Sequence, residues 1–583
     1  MYKKINYILS YSNRTKIIFM IILMTFAGLF EALSIGLLAP FITFLVDPTV
    51  IFNNQYIQTY FPSAYQLDKI DLISIGLVVI FLSFLFKSIF LLWFNFKKNK
   101  YVFSVGNELS LKMYSNYIAQ NYALHVQNKS SSAISTFVSQ INIFVYDILL
   151  GGLELSSELI IIIFLILILF FINPSLCIFV ILFSSILFLL FHNFSKKKLK
   201  SLGILRITSE KKLFEQIQQS HSGIKEILIY LKEHHFINEF KRIIDERVFA
   251  LIQLQSIMDA PKIVLELIAV MVFILVIFFI LQINSNINYY LPILGLYVAV
   301  AFKLLPALNR VIITVQKIKR SISSIDEVLK QLNNFDKNKE QIDSFGNFKK
   351  NLKVFDFKSK ILLKNISFKY PETENYIFKN LNLEINKGST IGIVGSSGEG
   401  KSTLVNIICG FNLPCSGKIL VDGVDIKHNI RGWRMLLGYI PQDIYLFNES
   451  IIENVSFFSD KKSINKKKIK EVSQMAQLDS VILSKDYKEE ATVGERGAFL
   501  SGGQSQRIAL ARALYKDPEI LIFDEATSSL DDENEKKILE SIENLKRKKT
   551  IIIISHRKST LGFCDMIYKV ENGKCILKKN SDI

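Results

Sequence analysis

The sequence predicts an all-α membrane region with six spans, followed by an α/β domain. Half of the 583 residues are apolar and only 21% are charged, whereas soluble globular chains usually carry more charge. The apolar residues concentrate before about residue 320, in six stretches near the length of about 20 residues that crosses a bilayer. Further on, short β-rich runs alternate with helical patterns, which is typical of an α/β domain. We therefore expect a transmembrane domain at 1–320, a linker at 321–350 and an α/β domain at 351–583.

The loops between the predicted spans indicate their orientation. The spans are 17–46, 72–96, 143–172, 175–194, 262–283 and 289–316. Lysine and arginine are dense in 97–112 and 196–212 and nearly absent from the segments on the opposite side. Because basic residues accumulate in cytoplasmic loops, both termini and the α/β domain are predicted to be cytoplasmic. The long loops at about 97–142 and 195–261 have helical periodicity, which predicts helices that continue out of the membrane.

Composition excludes several classes of protein. The high apolar content and the lack of low-complexity tracts exclude a disordered chain. The five cysteines are odd in number and have no metal-ligand spacing, so we expect ordinary reduced thiols. The formal net charge of +18 would suit a nucleic-acid-binding protein. Here the basic runs flank apolar spans, so we expect no nucleic-acid partner.

A glycine-rich loop, GSSGEGKST at 395–403, fits the pattern G-x-x-x-x-G-K-[ST] between a strand-like and a helix-like run. Its glycines let the backbone approach phosphate oxygens, while backbone N–H groups and the helix N-terminus stabilise negative charge. We expect Lys401 to reach the β- and γ-phosphates of a nucleotide and Ser402 to bind Mg²⁺. The nucleotide contacts predicted from this loop are Gly395, Ser396, Ser397, Gly398, Glu399, Gly400, Lys401, Ser402 and Thr403.

Polar residues follow three strand-like runs and complete a predicted catalytic set. EILIFDEA (519–526) ends in two acids, of which Asp524 would hold Mg²⁺ through water and Glu525 would orient or deprotonate the attacking water. His556 ends the run KTIIIISHR and could contact the γ-phosphate. Gln442 in YIPQD could sense Mg²⁺ and water. We therefore predict that Glu525, His556, Gln442 and Lys401 catalyse hydrolysis of the bound nucleotide.

These motifs resemble those of the ATP-binding-cassette (ABC) transporter family. LSGGQSQR (500–507) resembles the family signature, SSLD (528–531) resembles the D-loop, and Tyr370 in SFKYP matches the aromatic residue that stacks on adenine. The order of six spans and then one cassette resembles an exporter half-transporter. The resemblance implies ATP and Mg²⁺ as cofactors and a homodimer, in which the signature faces the glycine loop of a partner cassette. The further nucleotide contacts it implies are Ser501, Gly502, Gly503, Gln504 and Asp531.

Four basic residues lie within the apolar context of the spans. They are Lys87, Lys262, Lys303 and Arg310. A charge at the centre of a span costs about 2.5–3.5 kcal/mol on insertion scales. Its presence therefore requires either a function or an ion-pair partner. One interpretation is a cavity for an anionic substrate such as a lipid phosphate. The alternatives are location at the membrane interface and pairing within the chain. The acids available for pairing are Glu31, Asp147, Glu154, Glu158 and Glu266.

The membrane half carries a second resemblance. FEALSIGLLAPFITFL (30–45) and AFKLLPALNRVIITVQKIK (301–319) are similar to stretches of bacterial lipid-linked oligosaccharide flippases of protein N-glycosylation and of surface-polysaccharide transporters. This implies a polyprenyl-diphosphate oligosaccharide as cargo, flipped from the inner to the outer leaflet of the bacterial inner membrane, with membrane lipids as partners. Two alternatives stay open. One is an exporter of peptide, protein, another lipid (lipid A-like) or a hydrophobic drug, and the other is a regulator that uses ATP binding as a switch without transport.

Overall fold

The computed structural model describes most of the chain and divides it into two compact units. The described residues are 7–8, 11–38, 41, 45, 69–120, 122–127, 130–172, 174–282, 287–336, 355–370, 373–459, 464–478, 492–526 and 532–578. The first unit comprises Met1–Gln120 and Gln127–Ile342, and the second comprises Asn121–Val126 and Asp343–Ile583.

The N-terminal half is helical throughout its described residues. In chain order its helices are α1 (Tyr11–Gly36), α2 (Lys69–Ala119), α3 (Tyr122–Gln127), α4 (Ser130–Ser135), α5 (Ile141–Ile143), α6 (Gly151–Ile172), α7 (Pro174–Ser222), α8 (Ile224–Ile229), α9 (Glu233–Gln282), α10 (Ile287–Arg320) and α11 (Ile322–Asp336). Two π-helical segments, Thr136–Gln140 and Phe144–Leu150, join α4, α5 and α6 into one helical stretch.

Three helices of this half are much longer than a bilayer is thick. The helices α2, α7 and α9 have 51, 49 and 50 residues. At 1.5 Å per residue each is about 75 Å long, whereas the hydrocarbon core of a bilayer measures about 30 Å. The predicted helical continuation of the spans into the long loops is therefore confirmed. Helix α1 ends at Gly36, and most of the remainder of the first predicted span, up to residue 46, lies outside the described residues.

Four helices among the described residues are long and apolar enough to cross a membrane. They are Ser12–Gly36, Ile70–Ala119, Ala133–Phe171 and Glu233–Leu267. The predicted spans 175–194 and 289–316 fall within α7 and α10, where many side chains lie outside the described residues. The first unit packs its core around side chains such as Met24, Phe94 and Phe144, while large apolar side chains such as Phe81, Leu92 and Phe171 stay exposed, as a lipid-facing surface requires.

The second unit contains two sheets. Its strands are β1 (Lys360–Phe368), β2 (Phe378–Asn386), β3 (Thr390–Val394), β4 (Ser416–Val421), β5 (Val424–Asp425), β6 (Leu437–Ile440), β7 (Ile520–Asp524), β8 (Thr550–Ile554), β9 (Met566–Glu571) and β10 (Lys574–Lys578). The first sheet is antiparallel with the order β2-β1-β4-β5, and the second has the order β10-β9-β3-β8-β7-β6. In the second sheet β9, β3, β8, β7 and β6 pair in parallel.

Helices surround the sheets of the second unit. They are α12 (Lys401–Ile408), α13 (Ile430–Met435), α14 (Ile451–Ser456), α15 (Lys466–Met475), α16 (Gly502–Tyr515), α17 (Asp532–Glu543) and α18 (Lys558–Leu561), with 3₁₀ turns at Ile426–His428 and Glu495–Gly497. Every residue of β7 and β8 is buried, because the strands lie inside the parallel sheet. These isoleucine-rich strands form the centre of the core.

The strand register brings the carboxyl ends of the parallel strands level with one another. Ile554 at the end of β8 lies opposite both Ile393 of β3 and Asp524 of β7. Ile440 of β6 lies opposite Phe523 of β7. The residues that follow these strands therefore meet at one edge of the sheet, which is where open α/β sheets bind their ligands.

Candidate functional site

The glycine-rich loop joins β3 to α12 and encloses its own lysine. Gly400 has a φ of +96°, and a Cβ atom there would lie 2.7 Å from Ile377 Cγ2, so both backbone and space require glycine. Lys401 is buried, and its Nζ donates to the carbonyl oxygens of Gly395 (2.8 Å) and Ser396 (3.1 Å). Phosphate oxygens would be stronger, charged acceptors for the same ammonium.

The other residues predicted from this loop lie around the lysine. Ser396, Ser397, Gly398 and Ser402 are exposed. The Glu399 carboxylate accepts from the backbone N–H of Asn572 at 3.1 Å, which fixes the loop to the turn after β9. The Glu399 carboxylate therefore makes a structural hydrogen bond within the domain.

Tyr370 lies close to the buried start of α12. Its hydroxyl is 3.2 Å from Thr403 Oγ1, and its ring packs edge-on against Phe368 with 5.2 Å between centroids. The ring keeps an exposed fraction of 36%. A planar ligand such as adenine could therefore still contact it, consistent with its predicted role.

Asp524 ends β7 with one carboxylate oxygen bonded and the other without a partner. Its Oδ2 accepts from the Tyr439 hydroxyl at 3.1 Å. Its buried Oδ1 has no hydrogen-bond partner among the described residues. Burial raises the pKa of the Asp524 carboxyl, and the neighbouring Glu525 charge raises it further, although the Tyr439 hydrogen bond opposes this. An orphaned, buried carboxylate oxygen fits a hydrated Mg²⁺, with the exposed Ser402 as a further oxygen ligand.

Glu525 occupies a special backbone position between two other predicted residues. Its φ is +50°, in the left-handed region that is costly for glutamate, and its N–H donates to the Ile554 carbonyl at 3.1 Å. Its Oε2 accepts from Gln442 Nε2 at 3.0 Å, and its Oε1 lies 3.4 Å from His556 Nε2. The structure thus brings together Gln442, Glu525 and His556, which are 114 residues apart at the extremes (556 − 442).

The signature segment forms the start of α16. Ser501 accepts from the Gln504 backbone N–H at 3.3 Å, and its own N–H donates to Gln504 Oε1 at 2.8 Å, which together make a capping box. Ser501 and Gly502 are exposed, whereas Gly503 is buried. The Gln504 side chain therefore orders the helix start. Asp531 lies outside the described residues.

A half-buried arginine, which the sequence motifs do not indicate, holds the segment after Gln442 against α16. Arg512 donates to the carbonyl oxygens of Asn454 (2.8 Å) and Tyr445 (3.0 Å) and to Asn454 Oδ1 (2.9 Å). Burial lowers the pKa of Arg512 to about 10. No local motif predicts this contact, because Asn454 and Arg512 lie far apart in the chain.

A second residue that the sequence analysis missed is Glu535, which links α17 to the segment that follows His556. Its carboxylate accepts from Arg557 Nη1, from Ser559 Oγ at 2.8 Å and from Thr560 Oγ1 at 3.0 Å. Burial alone would raise the pKa of Glu535, but these hydrogen bonds outweigh it and hold the pKa below its usual value. Glu535 is thus placed to position the loop that carries His556.

Replacing Glu535 by alanine should lower ATP turnover about tenfold, with a smaller change in the KM for ATP, because each lost hydrogen bond to a charged group is worth about 1.5–3 kcal/mol. Steady-state hydrolysis and thermal unfolding would be measured together. Glu540→Ala, an exposed acid on the same helix, is the matched control and should behave like the unaltered protein. A loss of Tm with unchanged kcat would show that Glu535 only stabilises the fold.

In the membrane unit, three of the four predicted basic residues are paired with acids of the same chain. Lys303 Nζ lies 2.9 Å from Glu31 Oε1, and Lys87 Nζ lies 3.8 Å from the same oxygen. Arg310 binds Glu158 through two hydrogen bonds of 2.6 and 3.0 Å. Lys262 is exposed and makes no ion pair with Glu266 among the described contacts. Two of the acids considered for pairing, Glu31 and Glu158, therefore do pair with these residues.

Asp147, another of the acids considered, pairs elsewhere. Its carboxylate accepts from Arg320 Nη2 at 3.2 Å and from Ser321 Oγ at 2.5 Å. These residues connect the π-helical segment before α6 to the end of α10. Asp147 thus stabilises the packing of the π-helical segment against the end of α10.

Comparison with known proteins agrees with this geometry. Residues 378–528 match the family model described as ABC transporter. That segment contains the glycine loop, Gln442, the signature and the two acids at the end of β7, Asp524 and Glu525. The chain therefore carries the ATP-binding domain of the ABC transporter family, with ATP and Mg²⁺ as its usual ligands.

The whole chain also has the fold of a known exporter. It matches the structure of a bacterial Atm1-family ABC exporter with ATP bound, with a TM-score of 0.78, over 98% of this chain and 96% of that one, at 21% sequence identity. A likeness at this identity shows the fold. The described fold, with a helical N-terminal half and a C-terminal ATP-binding domain, is therefore that of an ABC exporter, which confirms the predicted fold class.

Curated relatives are similar over a limited part of their length. The chain is 41% identical over 220 residues to the ATP-dependent lipid A-core flippase of Wigglesworthia glossinidia brevipalpis, which covers 38% of each protein. It is 43% identical over 217 residues to the alpha-hemolysin translocation ATP-binding protein HlyB of Escherichia coli, over 37% of this chain and 30% of that protein. The matched region thus spans well under half of these relatives, whose names describe different cargoes.

Proposed function

We propose that two copies of this chain form an ATP-driven exporter that flips an anionic lipid-linked substrate from the inner to the outer leaflet of a bacterial inner membrane. The substrate class we favour is a polyprenyl-diphosphate oligosaccharide. ATP hydrolysis in the second unit would supply the energy.

The observation that carries the ATPase part is the arrangement around Glu525. Its carboxylate contacts Gln442 and His556 at the strand edge that also holds the glycine loop and Lys401. Glu525 can accept a proton from an attacking water, which Gln442 helps to place, while His556 can donate to the γ-phosphate. Mg²⁺, bound near Asp524 and Ser402, would neutralise the phosphate charge.

The dimer is supported by the start of α16. Exposed Ser501 and Gly502 begin a helix of 14 residues, and a helix N-terminus favours phosphate. The family resemblance implies that this segment faces the glycine loop of a partner cassette. This chain carries both the glycine loop and the signature segment. Two identical chains would therefore suffice to form a composite ATP site.

The anionic cargo is supported by the basic residues of α10. The side chains of Lys303 and Arg310 keep exposed fractions of 39% and 54% while paired to acids. Lys303 and Arg310 share one helix face at i and i+7. Exposed cations among apolar spans are costly and suit a phosphate ligand. An exporter of another lipid, a peptide or a drug is the second candidate, because the relatives include a lipid A-core flippase and a hemolysin translocation protein.

Replacing both Lys303 and Arg310 by alanine should reduce ATP-dependent flipping of a fluorescent polyprenyl diphosphate in proteoliposomes at least tenfold, since charged hydrogen bonds contribute about 1.5–3 kcal/mol each. Basal ATPase should change less than twofold. The matched control is Lys212→Ala with Arg242→Ala, which removes two exposed basic residues of the same unit. Unchanged flipping by the α10 variant would reject the anionic cargo, and stimulation of its ATPase by a peptide or drug alone would favour the second candidate.

A further inference from the structure

Three charged side chains meet where α1, α2 and α10 pack together in the membrane unit. Glu31 and Lys87 are 7% and 5% exposed. The ammonium groups of Lys303 and Lys87 lie 2.9 and 3.8 Å from one atom, Glu31 Oε1. The Lys87 ammonium also lies 4.2 Å from the centroid of the Phe84 ring, a cation–π contact. We call Glu31, Lys87 and Lys303 the α1–α2–α10 charge cluster.

The charge cluster is not neutral. Two lysines share a single carboxylate, and the described ion pairs supply neither lysine with a second acid. One positive charge therefore stays uncompensated among apolar helices. An uncompensated buried charge is strongly unfavourable unless a further anion or solvent reaches it.

The two lysines differ in how accessible they are. The Lys303 side chain is 39% exposed, whereas the Lys87 side chain is 7% exposed. An anion that reaches the cluster can therefore contact Lys303, while Lys87 attracts it through charge alone. Since an ammonium has three donors, Lys303 can hold Glu31 and a phosphate oxygen together.

We propose that Glu31 is a built-in counter-anion of the two lysines, and that the diphosphate headgroup of the substrate shares or replaces it on Lys303 during transport. This inference rests on the proposed function, because it takes the cargo to be a diphosphate-linked lipid. Glu31 sets the affinity of the site: it stabilises the empty cluster and competes with the headgroup, so that the anion can be released. Glu31 is thus a specificity-determining residue of this site.

The test is equilibrium binding of farnesyl diphosphate to the purified full-length dimer in nanodiscs. Glu31→Gln removes the competing charge with little change in shape, so this variant should bind the probe about tenfold more tightly. The reason is the lost repulsion between the Glu31 carboxylate and the probe phosphate, for two charges about 4 Å apart at an effective dielectric constant near 20 and reduced by screening. Glu31→Asp keeps the charge and should bind like the unaltered protein. Glu327→Gln is the matched control, because it removes a different acid that is also paired with a lysine, Lys211, at 2.7 Å in the same unit. It should leave the affinity within twofold.

Two further ligands distinguish the headgroup from the lipid chain. Inorganic diphosphate should compete with the probe, whereas neutral farnesol should bind equally to all variants. Competition by farnesol but not by diphosphate would overturn the headgroup assignment. Equal affinity of the unaltered protein and Glu31→Gln would overturn the role of Glu31 and leave the proposed function standing. Absence of farnesyl diphosphate binding to the unaltered protein would overturn the proposed cargo and, with it, this inference.

A second variant covers a failure of Glu31→Gln to fold with two unpaired lysines. Glu31→Gln combined with Lys87→Met removes one anion and one cation. The net charge is therefore kept, and Lys303 no longer has a carboxylate partner in the cluster. It should bind farnesyl diphosphate about fivefold more tightly than the unaltered protein, because Lys303 no longer divides its hydrogen bonds with a carboxylate. Unchanged affinity of this variant would contradict the proposal.

Discussion

Replacing Glu525 by glutamine should lower the rate of ATP hydrolysis at least a hundredfold, because a positioned general base contributes about 10²–10⁴-fold to a rate. Glutamine preserves the size of the side chain and can still bond to Gln442, which lies 3.0 Å from the carboxylate. It cannot take a proton from water. ATP binding and ATP-dependent closure of the dimer should therefore persist, and phosphate release and nucleotide trapping would be measured on the same preparation.

The control for this experiment is Glu519→Gln, which changes a partly exposed acid just before β7 that pairs with Lys387 at 3.1 Å. It should hydrolyse ATP at the unaltered rate. Hydrolysis at that rate by the Glu525 variant would remove Glu525 from its proposed role as base. Loss of ATP binding by the same variant would instead indicate that Glu525 holds the site together.

Replacing Lys401 by alanine should weaken ATP binding about 10- to 100-fold, since hydrogen bonds from a charged donor contribute about 1.5–3 kcal/mol. The ammonium is already held within the loop by the carbonyl oxygens of Gly395 and Ser396. Its loss removes the main cation of the loop. Equilibrium binding of a fluorescent ATP analogue measures the effect.

Lys364→Ala, an exposed lysine of β1, is the matched control and should bind ATP normally. Thermal unfolding of both variants separates a loss of affinity from a loss of folded protein, because the alanine variant leaves two loop carbonyls without their donor. Unchanged affinity for ATP in the Lys401 variant would contradict the assignment of the loop as a phosphate cradle.

The candidate nucleotide site could be proposed from sequence because its motifs are local. The spacing of GSSGEGKST indicates the loop, and apolar strands that end in Asp524 or are followed by His556 place polar groups at one sheet edge. The packing contacts could not be predicted in this way. Glu535 and Asn454 act through Arg557 and Arg512, respectively, and these pairs form only when distant helices pack together.

The charged residues of the membrane unit show the same contrast between what sequence predicts and what depends on tertiary packing. Isolated lysines in apolar runs are visible in the sequence, so Lys87, Lys303 and Arg310 could be identified. Which acid each one would meet depends on the rotation of long helices about their axes, and amphipathic periodicity is weak where lipid surrounds the chain. The shared use of Glu31 by two lysines could therefore be recognised only in the three-dimensional arrangement.

The most direct test of the account as a whole is leaflet transfer of a fluorescent polyprenyl diphosphate in proteoliposomes that contain the purified dimer. We expect transfer that requires ATP and Mg²⁺, that is lost in Glu525→Gln, and that is absent for the uncharged polyprenol. Transfer at an equal rate without ATP, by the Glu525 variant, or for the uncharged lipid would contradict the claim that nucleotide hydrolysis drives an anionic lipid across the membrane.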